Sequence, residues 1–172
     1  MTETDALTIR VARRDDFAAV DALLARSYPA LLKRDYPPSV MVTAVPRLAR
    51  ARPELLRCGS YYVAETAMDQ IVAAGGWTPK RRGRGLAEIR HVVTDHRRVR
   101  EGIGKQLLTH AMNEARRLGV TRFEAMATRT AVPFYQSLGF VPLGAIEITL
   151  DHGITFPAIQ MHLDDGSPGS SA

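Results

Sequence analysis

Residues Leu86 to Gly104 read LAEIRHVVTDHRRVREGIG. The opening part, Leu86–Thr94, has few polar breaks and several β-branched residues, which predicts a strand. A short basic linker follows, and Gly102-Ile103-Gly104 opens a helix. Ile103, Leu107, Leu108, Ala111, Ala115 and Leu118 mark one face of that helix, and Lys105, Thr109, Asn113, Glu114, Arg116 and Arg117 the other. Gly119 ends it, as a left-handed C-terminal glycine does. The first N–H groups of a helix have no internal partner, and the aligned peptide dipoles make that end positive. Glycines let the backbone pass close to a ligand. Together these make a seat for a pyrophosphate. Arg97, Arg98 and Arg100 add positive charge beside it, while Glu101 is expected to point to solvent. Two familiar phosphate sites are excluded by local chemistry. A dinucleotide fingerprint needs a glycine where Leu107 stands. A nucleoside-triphosphate loop needs a hydroxyl after the lysine, where Gln106 stands.

Working outward, Leu7, Ile9 and Val11 alternate with polar residues as one face of a strand. Asp15 and Asp16 sit where a helix start favours negative charge. Phe17, Val20, Leu23, Leu24, Ser27 and Tyr28 continue at helical spacing. Pro29, Pro37 and Pro38 predict a broken or looped segment over Tyr28–Ser39. A second helix is expected within Val40–Arg52. Tyr61–Glu65 and Ile71–Thr78 read as a strand hairpin, and Lys80–Gly85 as a basic, solvated turn. Arg122–Ala127 is a strand. Thr130–Leu138 is a short helix capped by Thr130, with Pro133 in its first turn and Gly139 after its end. Phe140–Leu150 and Ile154–Leu163 close the chain as a strand pair. This order mixes hairpins with strand–helix–strand crossovers, so the fold class is α/β with a mixed sheet. Residues 1–163 are expected to form one domain, and Asp164–Ala172 a disordered tail.

The chain has 172 residues, a net charge of +5 and one cysteine, Cys58. A lone cysteine excludes an intrachain disulfide and any multi-cysteine metal site, and its expected state is a small buried or half-buried side chain. The polar, acidic start MTETDALTIR is no secretory signal, and no apolar run is long enough for a membrane span. These features point to a cytoplasmic protein with no metal and no membrane partner. The basic balance suits a polyanion. Nucleic acid is disfavoured, because the runs Lys80–Arg84 and Arg97–Arg100 contain no stacking aromatics.

The stretch Val92–Leu108 resembles the acetyl-CoA-binding motif of the GNAT superfamily of N-acetyltransferases, in which a strand runs into Q/R-x-x-G-x-G/A at a helix start. Gly102 and Gly104 are its glycines. Ala131–Phe140, AVPFYQSLGF, is similar to the family's A-x-x-F-Y-x-x-x-G-F helix and strand. Val99 stands at the Q/R position, so backbone N–H groups would carry the pyrophosphate, with Arg98 or Arg100 supplying charge. The resemblance implies a mostly antiparallel central sheet with a splayed strand pair, flanked by about four helices. It implies acetyl-CoA as co-substrate, held by Val92, Val93, Thr94, Arg98, Arg100, Gly102, Ile103, Gly104, Lys105 and Phe134. It also implies direct transfer of acetyl to the amine of a small molecule or peptide. A homodimer is in keeping with the family. The alternative is a non-catalytic acyl-CoA sensor that has kept only the cradle.

A lysine-like amine, with a pKa of ~10.4, must lose a proton before attack, and the leaving thiolate, near ~8.5, is helped by a donor. By its resemblance to the histone-acetylating branch, Glu88 is the candidate base. It is set in an apolar strand where it would be poorly solvated. His91 is the substitute, and lies on the opposite face unless a bulge intervenes. Tyr135, matching the family's F-Y pair, is the candidate acid. The acceptor is expected to meet Tyr28–Ser60 and Gly144–Thr155. In the former, Lys33, Arg34, Arg47, Arg50, Arg52 and Arg57 outnumber Asp35 and Glu54. That balance favours a neutral or carboxylate-bearing amine over a polycation. Tyr28, Tyr36 and Trp77 are candidate pocket aromatics.

Overall fold

The computed structural model describes residues 6–166. Its centre is one sheet of seven strands: β1 (Thr8–Val11), β2 (Tyr61–Glu65), β3 (Ile71–Pro79), β4 (Leu86–Thr94), β5 (Arg122–Ala127), β6 (Val141–Thr149) and β7 (Thr155–Asp164). The spatial order is β1-β2-β3-β4-β5-β7-β6. Every neighbouring pair is antiparallel except β4 and β5, which are parallel. A parallel pair needs a crossover, and α5 (Ile103–Arg117) supplies it. The sheet is therefore mixed and mostly antiparallel, as expected.

Helices cover both faces. On one, α5 turns Ile103, Leu107, Leu108, Ala111, Met112 and Ala115 into a core shared with Val72, Trp77, Ile89 and Phe123. Leu107 and Leu108 are fully buried, and each contributes about 2 kcal/mol. On the other, α1 (Phe17–Leu32) packs Val20, Leu23 and Leu24 against Leu55, Leu56, Tyr61, Val63 and Val93. A third cluster, Leu32, Tyr36, Ala44, Val45, Phe156 and Ala158, fills the space under β6 and β7.

Several local expectations are corrected. Helix α1 does not break at Tyr28 but runs through Pro29 to Leu32. The carbonyl that Pro29 cannot bond belongs to Ala25, an exposed residue on the solvent side, while the buried face carries the helix. The single helix expected within Val40–Arg52 is instead α2 (Pro38–Thr43) and α3 (Val45–Leu48), with α4 (Pro53–Arg57) following. Each carries a proline in its first turn, where the missing N–H has no helical partner to lose. Before α6 (Val132–Ser137), the cap is Thr128 rather than Thr130. Thr128 Oγ1 accepts from Ala131 N at 3.2 Å, while the Thr130 hydroxyl donates to Asp35 at 2.6 Å. Asp15 and Asp16 do stand at the helix start, in the turn Arg14–Asp16, and Asp16 also binds the Arg10 guanidinium and the Arg13 N–H. Cys58 is exposed, not buried. Asp164 still belongs to β7, and Asp165 holds Arg116 at 2.7 Å. The rest of the expected tail, 167–172, lies outside the described residues.

The β3–β4 ladder has an irregularity that governs the site. Ala74 pairs with Val93 and Gly76 with Arg90, so Gly75 alone faces both His91 and Val92. This is a β-bulge, and His91 takes its left-handed position at φ 48°. Gly75 makes room for it, since a Cβ there would come within 3.0 Å of Val92 Cγ2. The bulge reverses the side-chain alternation. Before it Ala87 and Ile89 face the α5 core, whereas beyond it Val93 faces α1.

The neighbouring Gly76 is needed for another reason. A Cβ there would meet Ser60 O at 2.2 Å and Tyr61 Cα at 2.6 Å, both backbone atoms. Gly76→Ala should therefore destabilise the fold by about 3 kcal/mol, the upper range for overpacking. Chemical denaturation measures it, and a loss below ~1 kcal/mol would show that β2 yields easily.

Candidate functional site

β4 and β5 pair only from Leu86 to Glu88 on one side and Arg122 to Glu124 on the other. Beyond Glu88, β4 continues to Thr94 without β5, which stays with β7. The strands thus splay, and a cavity of about 460 Å³ opens between them. Glu88 through Thr94 form one wall, and Met126, Thr128, Ala131, Phe134 and Tyr135 the other. Tyr28, Leu48, Arg52, Val99 and Ile148 extend it outward.

Three hydrogen bonds fix the bulge that bends β4. The Tyr61 hydroxyl donates to His91 O at 2.8 Å, and the Tyr28 hydroxyl to Val92 O at 3.1 Å. His91 Nε2 meets Leu48 O at 3.1 Å. A carbonyl only accepts, so His91 carries its proton on Nε2 and leaves a bare lone pair on Nδ1. Nδ1 is buried and has no partner. Burial, and then the positive charge of Arg52, push the imidazole pKa down to about 4. The bulge therefore brings His91 to the cavity wall that Glu88 lines, the condition on which its alternative role depended.

At the far end of β4, Asp95 knots the linker to the sheet. It is almost fully buried, and its carboxylate accepts from Arg97 N, Nε and Nη2 and from Arg26 Nη2. The Arg97 hydrogen bonds hold its pKa well below the usual carboxylate range. Arg98 N bonds to Asp95 O, and Glu101 N to Arg98 O, which winds the linker up to Gly102. Gly102 is left-handed at φ 74°. No acceptor among the described residues takes the N–H of Gly102, Ile103, Gly104 or Lys105. This open row at the positive end of a 15-residue helix has the donors and polarity that suit an anion. Gly104 has its own constraint, because a Cβ would lie 2.6 Å from Thr94 Oγ1 and 3.5 Å from Phe134.

The sequence-derived residues fall into distinct groups. Val92, Val93, Thr94 and Phe134 line the cavity, although the Val93 side chain packs on the α1 side, so only its backbone faces inward. Ile103 is buried in the core and likewise offers only its N–H. Arg100 and Lys105 are exposed at the head of α5, and Arg98 lies 3.9 Å from Glu101. Glu88 lines the cavity, and its carboxylate accepts no hydrogen bond within the described residues. Tyr135 is buried against Phe134 and Phe140, with its ring edge-on to both. Burial, with Tyr28 nearby, pushes its phenol pKa up, so it stays protonated. Of the three aromatic candidates only Tyr28 lines the cavity. Tyr36 instead donates to Pro157 O under β7, and Trp77 faces the α5 core. Asp95 and Arg90 were missed, and the bulge was named only as a condition for His91. The pair Gly75-Gly76 inside a strand was the available signal for the last of these.

Among the described residues, no group of three or more His, Cys, Asp or Glu could hold a metal ion. Nor is any helix there long and apolar enough to cross a membrane.

Residues 57–142 match the model of the acetyltransferase (GNAT) domain. No curated protein sequence matches the chain. Solved structures do. A GCN5-related N-acetyltransferase from Rhodopseudomonas palustris superposes with a TM-score of 0.72 at 18% identity, over 95% of this chain and 98% of that one. The PaiA N-acetyltransferase of Thermoplasma acidophilum, solved with coenzyme A, gives 0.67 at 14% identity, over 92% and 99%. YncA of Salmonella typhimurium, solved with its cofactor acetyl-CoA, gives 0.66 at 20% identity, over 98% and 99%.

The His91 environment sets a pH dependence. Its folded pKa is depressed from 6.5 to about 4, so below pH 6.5 the unfolded chain takes up a proton that the native state refuses. Native stability is thus complete above pH 6.5 and falls as pH drops toward 4. His91→Asn tolerates the left-handed backbone and does not titrate. Between pH 7 and 4.5 the variant should lose about 2 kcal/mol less stability than the parent, measured by urea unfolding. Equal losses would mean that His91 is not held neutral.

Proposed function

The chain belongs to the GNAT acetyltransferase family, and from that premise we propose that it is an acetyl-CoA-dependent N-acetyltransferase acting by direct attack of an amine. The observation that carries this reading is the row of open N–H groups from Gly102 to Lys105, set at the mouth of the gap between β4 and β5. The row suits the coenzyme's pyrophosphate, with Arg98 and Arg100 adding charge in the place of the side chain that Val99 lacks. The unpaired edge of β4 near Val92–Thr94 suits the amides of a pantetheine arm. Two structural neighbours were solved with coenzyme A or acetyl-CoA, which supports the choice of co-substrate.

In this reading the thioester supplies the activated acetyl group. Glu88, whose carboxylate has no competing partner, takes the proton that the attacking amine gives up. As the C–N bond forms and the C–S bond breaks, Tyr135 donates its phenolic proton to the departing sulfur. Its burial keeps that proton in place until it is needed. The oxyanion that forms between these steps is met by a backbone N–H of the splayed strand. No covalent enzyme intermediate is involved, and Cys58 has no part. The acceptor is a primary amine of a small molecule or peptide, entering between Leu48, Arg52 and Ile148.

Two measurements test the roles. Tyr135→Phe should lower kcat at least about tenfold while leaving acetyl-CoA affinity nearly unchanged. An unaltered kcat removes the tyrosine from proton transfer. For Glu88→Gln, the rate lost at pH 7 should be partly regained at high pH, where the free amine is more abundant. A pH–rate profile parallel to that of the parent would exclude Glu88 as the base.

A further inference from the structure

Away from the splayed strands, the cavity is walled by Leu31, Leu48, Ile148, Leu150 and Phe156. Arg52, Glu88 and Arg90 are its charged lining residues. Of the six cations in Tyr28–Ser60, only Arg52 reaches the cavity. Lys33, Arg34, Arg47, Arg50 and Arg57 do not line it, and a strand residue, Arg90, takes their place.

Neither guanidinium is saturated. Arg52, at the head of α4, has one long ion pair, 3.9 Å to Glu54. Arg90 donates Nη1 to Thr78 Oγ1 at 3.2 Å, and its other N–H groups meet no acceptor among the described residues. Both lower the proton affinity of His91, so both fields reach the cavity wall. Neither pairs with Glu88, although Glu88 and Arg90 are two residues apart on β4. Arg90 is half-buried, so its unused donors are short of partners that an oxyanion would supply in a matching fork, while Arg52 stands exposed at the cavity rim.

We propose that Arg52 and Arg90 form a receptor for a carboxylate at the far end of the acceptor, whose apolar middle lies against Leu48 and Ile148 and whose amine lies at Glu88. This inference rests on the acyl-transfer reading above. The Arg90 guanidinium leans back over Thr78, the cross-strand partner of Glu88, so both ends of a short, flexible acceptor are served from one stretch of β4. An unbranched chain of about five methylenes, which spans up to about 7 Å, is the probe. An acceptor with a second cation would meet repulsion there.

The test compares three amines of equal length: hexylamine, 6-aminohexanoate and 1,6-diaminohexane. Thiol release from acetyl-CoA gives kcat/KM for each. The carboxylate should exceed the methyl-terminated amine at least about tenfold, the diamine should be poorest, and the advantage should shrink with added salt. Arg52→Gln should bring the carboxylate-to-methyl ratio below about threefold. Arg50→Gln, which removes a surface cation paired with Asp21, should leave the ratio intact. Hexylamine equal to or better than 6-aminohexanoate, or an unchanged ratio in Arg52→Gln, overturns the receptor. Calorimetry separates the two readings. Failure of acetyl-CoA to bind would remove the transferase reading. Relative binding of 6-aminohexanoate and hexylamine to the protein alone then decides the receptor, and does so too if no amine is turned over.

Discussion

The bulge opposite Gly75 is the constraint on which the site depends. One residue of β3 faces two of β4, and the extra residue turns β4 away from β5 after a pairing that ends at Glu88. A left-handed histidine costs about 1–2 kcal/mol. The bonds from Tyr61, Tyr28 and His91 to neighbouring carbonyls offset this at about 1 kcal/mol each, so the bend is held rather than merely tolerated. The same bend shifts the side-chain phase. Glu88, Arg90 and His91 all line the cavity, while Val92 packs on the α5 core and Val93 under α1.

The second support is Asp95, which closes β4 and begins the linker. Its buried carboxylate binds Arg26 from α1 and Arg97 from the linker, so one group ties the sheet, a helix and the approach to α5 together. Fixed between Asp95 and the α5 core, Gly102 to Lys105 present their N–H groups in a set direction. Pre-set donors need little reorganisation when an anion arrives, and in the proposed function they stand in for the side chain that Val99 lacks.

The strand–helix unit of β4 and α5 was legible because its periodicities are strong and its helix ends in Gly119. The bulge was not, since β4 is nearly continuous in apolar residues and offers no alternation for an inserted residue to interrupt. Pro29 misled because its effect depends on whether the Ala25 carbonyl faces water, a tertiary fact. The short helices after Pro38 escaped for the same reason, as none is long enough to show a period. At the site, the paired glycines were read from the chemistry of a helix start, and Glu88 and Tyr135 were chosen through the resemblance to a known family. The cations were counted correctly along the chain but could not be sorted. Only folding separates Arg52, at the cavity, from Arg50, which sits on Asp21.

The central claim is that the coenzyme occupies the gap made by the bulge and is held by backbone groups at its mouth. Amide hydrogen exchange with and without acetyl-CoA addresses this directly. The account predicts slowed exchange at Val92–Thr94 and at Arg100–Lys105, with no change along the edge strand Val141–Thr149. Protection absent from both of the first two segments, or confined to the edge strand, would contradict it.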